Sequence, residues 1–261
     1  MTEAIFWAAG GTGFTFLMTA LGAAVVLTLG HKVKMGVQRV FFGFAAGIML
    51  AASVWSLLLP AIDQAVEGPI PGWLVAGGGM AMGVGFLMAL DRLIPHLHPD
   101  AGGPEGVKAS WKRTTLLTLA VTLHNIPEGM AVGLSFALAA QGGGDFSAAM
   151  ALALGIGIQN FPEGAAVSLP LWQEGFTRRR AFLRGVESGV VEPIFGILVV
   201  LAYGVISPIM PWLLAFAAGA MLYVAVEELI PQAHLDVHAD LGTLSVMTGF
   251  MLMMVLDVAL G

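Results

Sequence analysis

Hydrophobic residues occupy this chain in long blocks separated by short polar stretches. Eight of the blocks run for roughly 20 residues, the length that crosses about 30 Å of hydrocarbon as a helix. They cover approximately residues 6–29, 40–62, 72–91, 114–140, 147–171, 182–206, 209–230 and 241–260. Within a block the apolar residues fall on every face rather than on one stripe, the pattern of a helix bathed in lipid. The longest polar interruption, 92–113, holds His96, His98, Pro99, Gly102, Gly103 and Pro104 and reads as a cytoplasmic loop. Residues 1–261 are therefore expected to form a single transmembrane domain. No basic residue precedes the first apolar block, so that block is expected to be a retained span and not a cleaved signal.

Composition narrows the classes further. Hydrophobic residues make up 57% of the chain and charged residues 11%, against about 25% charged in a soluble domain. Mean hydropathy is +0.87. There is too little polar surface to cover a water-facing body. A soluble enzyme, a disordered chain and a nucleic-acid binder are excluded, leaving an all-α polytopic protein whose surroundings are the lipid bilayer. Cysteine is absent, which removes disulfides and thiolate metal sites. All 11 Lys and Arg residues fall in three odd-numbered connections. Lys32, Lys34 and Arg39 follow span 1; Arg92, Lys108, Lys112 and Arg113 follow span 3; Arg178, Arg179, Arg180 and Arg184 follow span 5. The positive-inside rule puts these connections in the cytoplasm and both termini outside.

Two stretches recur. His124-Asn125-Ile126-Pro127-Glu128-Gly129 in span 4 matches Gln159-Asn160-Phe161-Pro162-Glu163-Gly164 in span 5. Phe44-Ala45-Ala46-Gly47-Ile48-Met49-Leu50 in span 2 matches Phe216-Ala217-Ala218-Gly219-Ala220-Met221-Leu222 in span 7. Both pairs join spans of opposite direction, and inverted repeats of this kind are frequent in secondary transporters, whose binding sites lie near the midplane. The second match is rich in Ala and Gly, and composition alone is a competing explanation for it.

The span 4 and 5 repeats place polar groups in mid-membrane. His124 and Glu128 are four residues apart and share a helix face, as do Asn125 and Glu128 at a separation of three. Span 5 repeats the set with Gln159, Asn160 and Glu163, and span 6 adds Glu192 ahead of Pro193. Each charge at the bilayer centre costs roughly 2.5–3.5 kcal/mol, so three glutamates cost roughly 8–10 kcal/mol. No basic residue lies inside a span to offset them. Either they are protonated or a cation sits among them. Pro127 and Pro162 bear on the choice, because each deprives a carbonyl one turn earlier, Leu123 or Ile158, of its helical donor and is expected to kink the helix. Free carbonyls in discontinuous helices are a means of binding cations. An imidazole, three carboxylates and three side-chain amides suit a borderline divalent metal such as zinc or iron better than copper(I). A lone intramembrane His or Gln commonly serves helix packing instead, but a duplicated polar set with a third Glu does not fit that role.

At these residues the sequence resembles the ZIP family of divalent metal transporters, in its bacterial branch. HNIPEG, QNFPEG and Val191-Glu192-Pro193 carry the likeness, and the eight spans extend it over nearly the whole chain. The resemblance implies transport of metal into the cytoplasm across the cell membrane, the inner membrane of a bacterium. The cargo would be zinc foremost, with Cd2+, Fe2+ and Mn2+ as further candidates. It implies an inverted repeat of spans 1–3 and 6–8 around spans 4 and 5, a homodimer in many members, and an elevator-like motion. It also implies a binuclear centre of the kind some members have. Met49, His124, Glu128, Gln159 and Glu163 would hold one ion. Asn125, Glu128, Asn160, Glu163 and Glu192 would hold the other, with Glu128 and Glu163 bridging. Some relatives have an acidic residue where this chain has Asn160, which leaves occupancy of the second position open.

Asp63 and Asp257 end spans 2 and 8 on the outer side and are candidates to gather cations at an entrance; solvated helix ends are the plainer reading. On the inner side stand Asp91, His96, His98, Glu227, Glu228, His234, Asp236, His238 and Asp240. Histidines in two loops on one side suggest a weak, pH-dependent exit site. The rival function is an intramembrane metal-dependent hydrolase. A catalytic zinc needs an open water position and a nearby base, whereas HExxH is absent here and the site is rich in amides.

Overall fold

The computed structural model describes residues 2–28, 35–66, 68–93, 113–142, 144–173, 175–233 and 240–260. Among these residues the chain is helical, without strands, and forms eight rods. α1 is Thr2–Thr28. α2 covers residues 35–65 and changes pitch on the way: Met35–Ala52 is α-helical, Ser53–Leu58 is a π-turn and Leu59–Ala65 resumes the α-helix. α3 is Gly72–Leu93, α4 is Arg113–Ala140 and α5 is Phe146–Gln173. α6 covers residues 178–201 in two segments, Arg178–Gly189 and Val191–Leu201. α7 covers residues 203–233, with Met210–Val224 as its main segment and a second π-turn at Ala225–Leu229. α8 is Asp240–Leu260. These rods match the eight expected spans to within a few residues. The expected 92–113 loop lies almost wholly outside the described residues.

Among the described residues, five rods are long and apolar enough by themselves to cross a membrane: α1, α3 and α8, with α2 from Arg39 and the whole of α7. α4, α5 and α6 carry the polar and arginine-bearing segments, which dilute their hydropathy. α5 is buried along most of its length, so its polar residues face neighbouring helices. Pro127, Pro162 and Pro170 lie inside uninterrupted helices. Pro127 and Pro162 still lack an N–H, so the carbonyl one turn earlier, Leu123 or Ile158, loses its helical donor while the helix continues. Neighbouring backbones pack closely against the turns that follow two of these prolines. A Cβ added to Gly129 would collide with Glu192 of α6, and one added to Gly164 would collide with Thr19 of α1.

The helices pair with an internal symmetry. α1 packs chiefly on α5 and α6 on α4; α2 packs chiefly on α8 and α7 on α3. Exchanging α1 with α6, α2 with α7, α3 with α8 and α4 with α5 maps each pair onto the other. The match extends to single backbone atoms. A Cβ on Gly249 of α8 would strike Phe44 O and approach Ile48 N, and a Cβ on Gly83 of α3 would strike Phe216 O and Ala220 N. Phe44 and Phe216, and likewise Ile48 and Ala220, are the aligned positions of the repeat read from the sequence. Gly47 of α2 abuts Val246 of α8, and its counterpart Gly219 of α7 abuts Met80 of α3. The π-turns begin at Ser53 and Ala225, also equivalent positions. The span 2 and 7 match is thus a structural repeat and not a product of composition.

Candidate metal centre

α4 and α5 present their duplicated segments toward α1 and α6. Asn125, Glu128, Gln159, Asn160 and Glu192 are all completely buried, and Glu163 is 7% exposed. The carboxylates of Glu128, Glu163 and Glu192 lie close enough to repel one another. Gln159 Nε2 donates to Glu128 Oε1 at 2.6 Å across the α4–α5 interface. Asn160 Nδ2 donates to Glu192 Oε2 at 2.8 Å and, more weakly, to Thr15 O at 3.4 Å. Thr19 Oγ1 lies 3.1 Å from Glu192 Oε1 and 3.2 Å from Thr15 O, two acceptors that share its one proton. Asn125 Nδ2 donates to Ser188 O at 2.9 Å.

These bonds orient the amides. Ser188 O and Thr15 O only accept, so Asn125 and Asn160 turn their NH2 groups toward them, and Gln159 does likewise toward an ionised Glu128. Every amide oxygen is then left over. Asn125 Oδ1, Gln159 Oε1, Asn160 Oδ1 and Glu128 Oε2 are buried without a hydrogen-bond partner. A buried polar atom without a partner costs about 1–3 kcal/mol, more when charged, and four in one place call for a cation or water. Oxygen donors with an imidazole suit a hard or borderline divalent ion.

The structure gathers Asn125, Glu128, Gln159, Asn160, Glu163 and Glu192 into one buried region. Met49 is buried on α2, which packs on α5. His124 sits in α4, one residue before Asn125, but its side chain lies outside the described residues. Among the described residues no three His, Asp or Glu side chains form a metal-holding group; the cluster is built of carboxylates mixed with amides.

Of the entrance candidates, Asp63 is exposed and lines two cavities, of about 200 and 670 Å³. Asp257 is buried and accepts from Ser56 Oγ at 2.6 Å, and Ser56 lines the smaller cavity. Asp257 is thus no solvated helix end. Of the exit candidates, Glu227 is exposed and Glu228 buried within the π-turn of α7, and Asp240 opens α8. Asp91 belongs to α3 with its side chain outside the described residues, where His96, His98, His234, Asp236 and His238 also lie. Sequence reasoning passed over Thr15, Thr19, Ser56 and Ser188. Thr12, Thr15 and Thr19 recur at helical spacing in an otherwise apolar span, and that was the available signal.

Inverted symmetry around two central helices that hold a buried polar cluster is an architecture of multi-pass transporters. Comparison with known proteins narrows it. The family model described as ZIP Zinc transporter matches residues 102–257. The zinc transporter ZIPB of Bordetella bronchiseptica is 40% identical over 97% of this chain and 80% of its own length. GufA of Myxococcus xanthus, also a zinc transporter, is 38% identical over 93% of this chain and 94% of its own. The human zinc transporter ZIP11 is 36% identical over 99% and 98%. The chain belongs to the ZIP family of zinc transporters, so it is a transporter and not an enzyme, and nothing supports the hydrolase alternative.

Proposed function

We infer that this protein carries divalent metal, zinc foremost, into the cytoplasm by alternating access through the buried site between α4 and α5. The observation that carries the reading is the set of fully buried acidic and amide side chains whose amide nitrogens are anchored on protein acceptors while their oxygens have no partner. Met49, His124, Glu128, Gln159 and Glu163 form the primary ligand set. Cd2+, Fe2+ and Mn2+ have chemistry that this set also accepts.

Metal enters past Asp63, Ser56 and Asp257 and leaves toward His96, His98, Glu228, His234 and His238, with Asp91 and Glu227 beside that route. Basic connections on one side put both termini outside the cell membrane. Within the group α1, α4, α5 and α6, and within α2, α3, α7 and α8, backbones touch directly through glycine, which makes each group stiff. Between the groups the packing is through side chains such as Ile48 and Met253 around Gly155. Relative movement of the two groups is the motion this division favours.

The test is uptake into zinc-free proteoliposomes, with zinc, cadmium, iron(II) and manganese(II) in competition. Saturable zinc uptake that fails with Glu163→Ala is expected; equal uptake by empty liposomes would refute the reading.

A further inference from the structure

Glu192 is held in a way that bears on how many ions the site takes. Each of its oxygens already has a donor within hydrogen-bond distance, Thr19 Oγ1 at Oε1, a hydroxyl shared with Thr15 O, and Asn160 Nδ2 at Oε2. Asn160 cannot turn over, because its NH2 is also held by Thr15 O, a pure acceptor that would repel an amide oxygen. The hydrogens of Asn160 therefore occupy the place beside Glu192 that a shared cation would need. The surrounding walls are close. The backbone of Glu192 presses on Gly129, and a Cβ on Gly189 would stand 3.0 Å from Thr19 Cβ and 3.2 Å from Glu192 Oε1. On the α4–α5 side the arrangement differs. Gln159 bonds only Oε1 of Glu128, which leaves Glu128 Oε2 and Gln159 Oε1 for a ligand.

We propose that this chain binds one divalent cation per molecule in its membrane site, at Glu128, Gln159 and Glu163, and that Glu192 is held by hydrogen bonds from Asn160 and Thr19 in place of a second ion. The proposal rests on reading the buried carboxylates as a cation site. Glu192, Asn160, Thr15 and Thr19 then act as positioning residues that tie α1, α5 and α6 together. Of these four residues only Asn160 keeps a buried side-chain oxygen without a partner, turned from Glu192.

The test is the zinc content of purified full-length protein at saturating zinc, by elemental analysis after equilibrium dialysis. The Glu128→Ala/Glu163→Ala double variant is subtracted to remove zinc held by loop histidines. One zinc per chain is expected for the wild type and for Glu192→Gln, and two for Asn160→Asp, which restores an anionic ligand. Two zinc ions in the wild type, loss of zinc in Glu192→Gln, or one zinc in Asn160→Asp would each overturn the proposal. A wild-type content equal to that of the double variant would instead refute the cation site itself.

Discussion

Gly47→Ala tests the inverted repeat at its tightest point. In the structure the added methyl would overlap Val246 O and stand 2.6 Å from Phe250 N, both backbone atoms of α8 that no rotamer change can move. The helices must part by roughly 1 Å, which forfeits about a quarter to a half of the attraction of each atom pair, itself about 0.1–0.2 kcal/mol. Over about 30 pairs at such a crossing the loss is about 2 kcal/mol, within the range seen for overpacked cores. For a chain of this size that lowers the unfolding midpoint by roughly 4–8 °C. The repeat demands the same of Gly219→Ala, whose methyl would overlap Met80 O. Gly77→Ala is the control. It lies on α3 with nothing within 4 Å of the added methyl, and alanine is the better helix former by about 1 kcal/mol. The assay is thermal unfolding of the detergent-solubilised protein, followed by size-exclusion chromatography. Lowered midpoints for Gly47→Ala and Gly219→Ala beside an unchanged or raised one for Gly77→Ala are expected. Equal midpoints for all three would refute the close backbone contact and the symmetry drawn from it.

Replacing His124, Glu128 or Glu163 with Ala is expected to cut zinc uptake into proteoliposomes at least tenfold while the protein remains monodisperse. Gly155→Leu drives a side chain into Met253 and Ile48 between the two helix groups; zinc binding should persist while uptake falls, and unimpaired uptake would argue against relative motion there. Ser56→Ala removes the donor to Asp257 and is expected to raise the half-saturating zinc concentration several-fold with little change in maximal rate. Thr19→Val deletes one donor to a buried carboxylate and should lower stability by about 1.5–3 kcal/mol, read as a reduced unfolding midpoint.

Much of this architecture is legible in the residue pattern because a bilayer imposes its own length rule. Eight apolar blocks become eight rods, since each backbone polar group must be satisfied within its own segment. The repeats were visible as well, although only Gly47, Gly83, Gly219 and Gly249 in contact establish that the FAAG match is structural. Pro127 and Pro162 lie inside helices that continue past them, with Glu192 and Thr19 closely packed on the glycines two residues further on. The cluster's acidic and amide members were legible from spacing along α4 and α5. What holds them was not. Thr19 and Glu192 are 173 residues apart, and Ser56 and Asp257 are 201 apart. No local spacing connects such partners. The π-turns at Ser53 and Ala225 leave no periodic trace either, since a single extra residue in a uniformly apolar helix changes no pattern.

The central claim is that the buried carboxylates of α4 and α5 hold the ion that crosses. Its most direct test is anomalous diffraction at the zinc edge from crystals of the protein equilibrated with zinc. The expected result is a peak between Glu128 and Glu163 that vanishes in Glu128→Ala/Glu163→Ala crystals. Zinc density confined to the surface, with none between those two helices at saturation, would contradict it.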